Sequence, residues 1–289
     1  MPVFSPKTTP PPSYKVRSVS FPARSNPTIH KIQQNLNKLT SPPKTPSSET
    51  LHLQLSGLGD TYKSVQHLLQ SPLTQKTLTQ KVPQMLDDLI HFLDICSNTR
   101  DCILSVKQSL RQLQSSLRRT QAAGSDQFTI ETDVTAYFHS RKKMKKEAAK
   151  FMSLLKIKKP QFGENDDHLL NLIQLLREGS CVVFNSILVY LSAPILKKRY
   201  KYWPPLMFSK LVSEVQGEKM NEMQKVDFAV NDLMEETECS PEKMESAQRM
   251  MEDLELSMEG FEIELEGLFR ELIHTRVTLL NIVSHSIIS

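Results

Sequence analysis

Glycine is scarce in this sequence, with eight residues among 289, and tryptophan occurs once. Little material is therefore present for glycine-rich phosphate loops or tight β-turns. The chain contains no GxGxxG, GxxxxGKS/T, HExxH or GxSxG pattern, so the common nucleotide-binding, zinc-protease and hydrolase motifs are missing. We predict no catalytic residues and no bound cofactor, and an enzyme is the least favoured class of function.

Ligands for a metal ion are also few. The four cysteines form no CxxC pair, and we interpret them as reduced, mostly buried thiols of an intracellular protein; they are Cys96, Cys102, Cys181 and Cys239. The eight histidines are scattered. Glu271 and His274 have the Glu-x-x-His spacing of di-iron bundles, but the motif occurs once where two copies are needed. We therefore predict no metal site.

Acidic residues are absent from the first 48 positions, which hold seven Lys or Arg. Residues 141–159 hold nine Lys or Arg against one Glu, whereas residues 212–271 hold eighteen Asp or Glu against five Lys or Arg. A uniformly basic nucleic-acid binder does not have this pattern. Segregated charge of both signs predicts that basic and acidic segments face each other, within one chain or between chains, and the alternative is separate solvated faces.

Apolar residues at helical spacing fill most of the chain after residue 26, and no segment alternates with period two long enough to predict a sheet. We predict an all-α fold, a bundle of long antiparallel helices. The helices are expected near 27–40, 49–70, 84–121, 131–159, 165–193, 206–216 and 218–236, with a last helix from 241. The chain divides into a disordered basic arm (1–26), a short docking helix with a Pro/Ser linker (27–50) and a helical domain (51–289).

The first and last helices have the clearest signals. Asn26-Pro27 is a good helix start, and the short amphipathic helix after it is marginal alone, so it must dock on another element. The last helix repeats apolar residues at spacings of four and three, which favours a coiled-coil-like seam or the central helix of a bundle. These residues are Leu254, Met258, Phe261, Leu265, Leu268, Leu272, Leu279 and Ile282, and only Thr275 interrupts them.

The strongest cluster of charge is a basic run in the predicted 131–159 helix: Arg141, Lys142, Lys143, Lys145 and Lys146. In helical geometry its cations spread around most of the circumference. One interpretation is contact with an anionic surface, either lipid or nucleic-acid phosphate. The other is a solvated helix that pairs with the acidic C-terminal half. No aromatic residues for base stacking are interleaved with the run, which argues against nucleic acid.

Two further segments admit more than one interpretation. The apolar stretch 181–196 is barely long enough to span a membrane and ends near Pro194, so we predict a buried core helix. Trp203 follows in a basic, aromatic neighbourhood that suits either a membrane-surface contact or a polar loop. In the basic arm, Arg17 lies three residues before Ser20, which makes Ser20 a candidate phosphorylation site. The same arm has the composition of a plastid transit peptide.

The opening RSVSFPARSNP resembles the signature of a plant-specific family, domain of unknown function 241, labelled BYPASS-like. The resemblance continues in order along nearly the whole chain, through LSGLGDTYKSVQHLLQSP, LDICSNTRDCIL, YFHSRKKMKKE, FSKLV and the final MEDLELSMEGFEIELEGLFRELIHTRVTLLNIVS. The 197–205 region departs from the family pattern. Because a cleaved leader keeps composition but not positioned motifs, the ordered opening favours a retained arm.

The resemblance implies a non-enzymatic helical protein of unassigned molecular activity, associated with root and shoot development. It supplies no catalytic residues to carry over. We expect partners to be other proteins or further copies of the chain, met through helices, with an anionic membrane surface as the alternative and no nucleic acid or small-molecule substrate. The expected location is cytoplasmic, with the chloroplast as the alternative. An enzyme acting on a small apolar signal precursor is the third hypothesis.

Overall fold

The computed structural model of the chain describes residues 27–40, 47–123, 127–155, 168–195, 220–235 and 241–288. Over these ranges the backbone forms eight α-helices and no β-strand. They are α1 (Pro27–Leu39), α2 (Ser48–Leu69), α3 (Pro72–Leu78), α4 (Val82–Ala123), α5 (Gln127–Leu155), α6 (His168–Leu191), α7 (Glu222–Glu235) and α8 (Pro241–Ile288).

The predicted all-α fold is confirmed. Apart from α3, which the sequence pattern does not separate, each described helix begins and ends within about four residues of its predicted limits. The arm at 1–26, the predicted helix at 206–216 and Trp203 lie outside the described residues, and so does the candidate phosphorylation site Ser20.

The last helix, α8, is the central element of the bundle and packs against α2, α4 and α7. Its 48 residues span about 72 Å at the usual rise of 1.5 Å per residue. Every apolar residue of the predicted seam is buried, from Leu254 to Ile282. We call this buried row the inner seam of α8. Thr275 is buried in it too, so the seam passes through this position without a break.

A hydrogen-bonded group accommodates Thr275 inside the inner seam. Its Oγ1 donates to the backbone oxygen of Glu271 at 2.8 Å and accepts from Nε2 of Gln66 on α2 at 3.3 Å. The same Gln66 amide donates to Oε2 of Glu271 at 2.9 Å. Because a buried hydroxyl is costly only when it is unpaired, this group tolerates a polar residue in the seam and fixes the position of α2 along α8.

Four ion pairs join α4 to α8 along their shared length. Each places a cation of α4 against a glutamate of α8, and the two sequences run in opposite directions: Arg100–Glu266, Lys107–Glu262, Arg111–Glu255 and Arg118–Glu252. Lys107 is nearly buried, and its Nζ lies 2.8 Å from Glu262. The acidic C-terminal helix therefore faces cations of α4.

The short helix α1 docks in the way that its amphipathic pattern predicts. It buries Ile32, Leu36 and Leu39 against α2 and α6. The close approach to α6 occurs at Gly179, where an added Cβ would lie 3.1 Å from Cδ2 of Leu36. A side chain at that position would require Leu36 to shift, so glycine suits this close approach.

The apolar helix α6 packs within the bundle against α1, α2, α4 and α5. Among the described helices it is the one long and apolar enough to cross a membrane by length and composition, and half of its most apolar window is buried. Phe184, Ile187 and Leu188 are almost fully enclosed, and the hydroxyl of Ser180 lies 2.9 Å from that of Tyr62 on α2. The part of the predicted core helix at 181–191 is thus helical and packed within the bundle.

Candidate anionic-surface site

The predicted basic run lies on α5, a helix with two different faces. One face packs against α4, α6 and α7. Its buried residues recur at spacings of three and four: Val134, Tyr137, Phe138, Arg141, Met144, Ala148, Phe151 and Leu155. The opposite face is exposed. The helical period of 3.6 residues places positions 141, 144 and 148 on one side and positions 142, 143 and 146 away from them, whereas position 145 is exposed at the edge of the packing side, about 40° from position 141.

Four exposed lysines form what we call the lysine face of α5: Lys142, Lys143, Lys145 and Lys146. At 100° per residue these four positions cover an arc of about 160° of the helix circumference. None of them makes an ion pair with another described residue. Lys150, one turn further along, is 3.7 Å from Glu147 of the same helix. The lysine face therefore combines high local positive charge with ammonium groups that are not paired within the described part of the chain.

Arg141 departs from the prediction that the whole basic run contacts an anionic surface. Its side chain is fully buried and binds Asp227 of α7 through two bonds. Arg141 Nε donates to Oδ1 of Asp227 at 3.0 Å, and Nη2 donates to Oδ2 at 2.8 Å. The physical reason is helical phase, because residue 141 lies one turn from Tyr137 and so shares its inward face. The surface-contact prediction does not fit Arg141.

Neighbouring groups complete the polar centre around this ion pair. The hydroxyl of Tyr137 donates to Oδ1 of Asp227 at 2.8 Å, and Arg141 Nη1 donates to the backbone oxygen of Leu191 at 3.3 Å. We call Tyr137, Arg141 and Asp227, with the Leu191 carbonyl, the buried ionic centre. It joins α5, α7 and the C-terminal end of α6 in one hydrogen-bonded unit.

Charge and burial act strongly on the groups of this centre. Burial raises the pKa of Tyr137 well above its ordinary value, and the negative charge of Asp227 raises it further. Burial alone would lower the pKa of Arg141, but its bonds to Asp227 and the charge of that carboxylate outweigh burial, so the pKa is raised. At neutral pH the phenol of Tyr137 is therefore neutral and the guanidinium of Arg141 is charged.

The first turn of α7 has further anchors. The Ser48 hydroxyl at the start of α2 donates to Oε1 of Glu222 at 3.0 Å. The side-chain amide of Asn221 donates to the backbone oxygen of Tyr190 on α6 at 3.3 Å. Together with the buried ionic centre, these contacts hold α7 against three other helices. They also fix the rotation of α5, so that the lysine face points outward.

Sequence reasoning missed the partnership of Arg141 with Asp227, although each residue carries a signal. Asp227 lies within the apolar row of α7, between buried Val226 and Val230. Arg141 lies in the same way within the apolar row of α5. A charged residue inside a buried stripe needs a partner of opposite charge. The sequence alone could therefore have predicted that Arg141 and Asp227 form a buried ion pair, because each is a charged residue in an apolar row and their charges are opposite.

The remaining predicted sites lie apart from this region. His274 Nδ1 is 3.9 Å from Glu271 on α8, and within the described ranges no group of three His, Cys, Asp or Glu residues is placed to hold a metal ion. Cys96 is buried and donates to the backbone oxygen of Leu265 at 3.1 Å. Burial raises the pKa of Cys96 to about 12 and that of Cys181 to about 11.

Space between the helices is limited where the structure describes it. A cleft of about 30 Å³ lies between α2, α4, α6 and α8, lined by residues that include Tyr62, Phe92 and Thr275. Larger spaces are surface grooves, such as the one of about 780 Å³ beside Arg111, Arg118 and Leu256 at the α4–α8 boundary.

Comparison with known proteins gives a match to a protein family. The family model described as Protein BPS1 matches residues 54–282, which is well over half of the chain. The match includes the lysine face, the buried ionic centre and the inner seam of α8. No curated protein and no solved structure matches the chain.

Proposed function

The chain belongs to the BPS1 family, the plant BYPASS-like family, and from that premise we propose that it acts in plant development by contact and not by catalysis. Its contact is with an anionic membrane surface, which it binds peripherally through the lysine face of α5. The observation that carries this proposal is the set of four exposed lysines on α5, none of which forms an ion pair with another described residue.

Several features support action without catalysis. The family has no known catalytic activity. The thiols of Cys96 and Cys181 have raised pKa values, so they stay protonated near neutral pH and are poor nucleophiles. The cleft of about 30 Å³ holds about one water molecule, whereas small-molecule pockets usually measure about 300–1,000 Å³. Within the described residues, these observations give little support for an enzyme acting on a small apolar precursor inside the bundle.

The strength expected of the lysine face can be worked out. Each lysine near an anionic leaflet contributes about 1 kcal/mol. If between two and four of these lysines face the surface at once, the face contributes about 2–4 kcal/mol, or about 30- to 1,000-fold in membrane partitioning. That range suits reversible peripheral binding on a cytoplasmic leaflet, where anionic lipids concentrate.

The test is flotation of the purified full chain with vesicles of phosphatidylcholine alone and of phosphatidylcholine with about one-third phosphatidylserine. We expect binding to the anionic vesicles only, and weaker binding as salt rises because mobile ions screen the lysines. Changing Lys142, Lys143, Lys145 and Lys146 together to Gln should reduce partitioning by about 30-fold or more.

A matched control removes the same charge elsewhere. Lys31, Lys38, Lys63 and Lys76 are exposed on α1, α2 and α3, and changing all four to Gln also lowers the formal net charge from +4 to zero. This control should keep its binding if the lysine face is the contact. Equal loss in both variants would show that total charge matters and not the face. Failure of the intact protein to bind anionic vesicles would refute the membrane contact.

A further inference from the structure

The outward side of α8 carries a row of apolar residues that no described helix covers. We call Leu256, Ile263, Ile273, Val277 and Leu280 the outer stripe; all are exposed, and Leu256 and Ile263 keep 67% and 66% of their surface. They lie on the side opposite the inner seam, which packs on α2 and α4. At 100° per residue the five residues lie within an arc of about 120°. A helical bundle seldom leaves that many large aliphatic residues exposed on one side of a helix, so the stripe indicates a contact surface.

The stripe follows a second heptad register. Positions 256, 263, 270 and 277 are seven apart, and so are 259, 266, 273 and 280, three residues after them. These two sets are the a and d positions of a coiled coil. They are filled by Leu256, Ile263, Arg270 and Val277 at a, and by Glu259, Glu266, Ile273 and Leu280 at d.

We propose that the outer stripe is a homodimer interface, in which α8 pairs with α8 of a second copy of this chain in antiparallel orientation. In antiparallel coiled coils, a residues of one helix face d residues of the other. Centring the pair on residue 268 places Leu256 opposite the partner's Leu280 and Ile263 opposite the partner's Ile273. Two-fold symmetry repeats each layer, so apolar layers lie on both sides of the centre.

Charge selects this orientation. The same register places Arg270 opposite the partner's Glu266, twice, at the centre of the contact, beside the ion pairs that Glu266 already makes with Arg270 and Arg100 of its own chain. A parallel pair in register would instead place Arg270 against Arg270, Glu266 against Glu266 and Glu259 against Glu259. Like charges across an interface are unfavourable, whereas the antiparallel pair joins opposite charges. Only Val277 is left beside a charged residue, the partner's Glu259, whose methylene groups can cover it.

The proposed contact is long enough for two helices to pair along several heptads. The overlap from 256 to 280 covers 25 residues, or about 37 Å at 1.5 Å per residue. Gly267 lies on the exposed side near the centre, and an added Cβ there would meet no heavy atom within 4 Å. Near the two-fold axis, where the partner helix comes closest, α8 therefore has a glycine with no side chain to keep the two backbones apart.

The test is sedimentation equilibrium of the full chain over a series of concentrations. We expect a dimer with a Kd of about 10 µM or tighter. Ile263→Glu and Ile273→Lys each introduce two unmatched charges per dimer and should each weaken it by about 100-fold. Mixing these two variants should restore a heterodimer, because the glutamate introduced in one chain would then face the lysine introduced in the other.

Leu53→Glu is the control, because Leu53 is 70% exposed on α2, away from the stripe. It should leave the dimer unchanged. A wild-type chain that stays monomeric at about 100 µM would overturn the proposal, as when another protein or another segment of this chain covers the stripe. Persistence of the Ile263→Glu dimer, or no restoration on mixing, would also overturn it. Circular dichroism checks that the variants are folded, which their exposed positions lead us to expect.

Discussion

Substitution of Asp227 by Asn is the most direct test of the buried ionic centre. The amide keeps the shape of the side chain but removes its charge, so Arg141 remains fully buried with no counter-charge. Tyr137 keeps an oxygen acceptor, whereas one of the two guanidinium bonds now meets an NH₂ group. The substitution therefore isolates the cost of an uncompensated buried cation.

The expected magnitude follows from the complete burial of both partners. Breaking a buried ion pair by removing one charge costs about 3–5 kcal/mol, a large fraction of a domain's usual 5–15 kcal/mol. Replacing both partners by apolar residues, as in Arg141→Met with Asp227→Leu, removes the stranded charge. That double variant should lose less than Asp227→Asn, about 1–3 kcal/mol, because the Tyr137 hydroxyl then lacks its acceptor.

Urea unfolding followed by circular dichroism measures these free energies, and hydrogen exchange over α7 shows where opening begins. Amides of α7 should lose protection first in Asp227→Asn, since the centre is its main polar anchor. The control is Glu252→Gln, which breaks the exposed Arg118–Glu252 pair and should cost no more than about 1 kcal/mol. If Asp227→Asn costs no more than this control, our account of the centre is wrong.

Three other predictions use separate parts of the bundle. Burial lowers the pKa of His52 from 6.5, against the opposing attraction of Glu264. The unfolded chain then binds the proton more readily, so stability should fall as the pH drops below about 6.5. His52→Phe should abolish that fall in urea titrations, and an unchanged pH dependence would contradict it. Gly260→Ala would overlap the His52 ring and should cost about 1–3 kcal/mol. Gly267→Ala should gain up to about 1 kcal/mol when both variants are measured as dilute monomers, and equal melting shifts would refute the distinction. Cys96, with a pKa of about 12, should resist a thiol reagent in the native state and react on unfolding, and fast native labelling would count against its burial.

Periodicity alone was enough to predict features that do not depend on which helix is the packing partner. The inner seam of α8 could be read from spacings of three and four, because any partner buries the same side of a helix. The docking of α1 was predicted for a similar reason, since a helix of 13 residues with one apolar face is marginal in isolation. In both cases the information is local to one segment.

Pairing between segments could not be predicted in the same way. The surface-contact prediction grouped Arg141 with the four lysines because it rested on composition. Composition does not contain the helical phase, which turns Arg141 inward. The acidic C-terminal helix was expected to face the basic run as one option, but its described partners are the more scattered cations of α4. Which helices become neighbours depends on packing of the whole bundle, and single-helix patterns carry little of that information.

The ion pairs between α4 and α8 have a consequence for how this chain can change in length. From Arg100 to Arg118 the cations meet their glutamates only while both helices keep a continuous turn. Inserting one residue between them would rotate all later side chains by about 100° and shift them by about 1.5 Å, so cations would leave their partners and apolar residues would leave the seam. Substitutions act on one layer, whereas an insertion displaces every layer after it. Gains and losses of residues in related chains should therefore concentrate in the connections between helices, and tags or fluorescent inserts are best placed there.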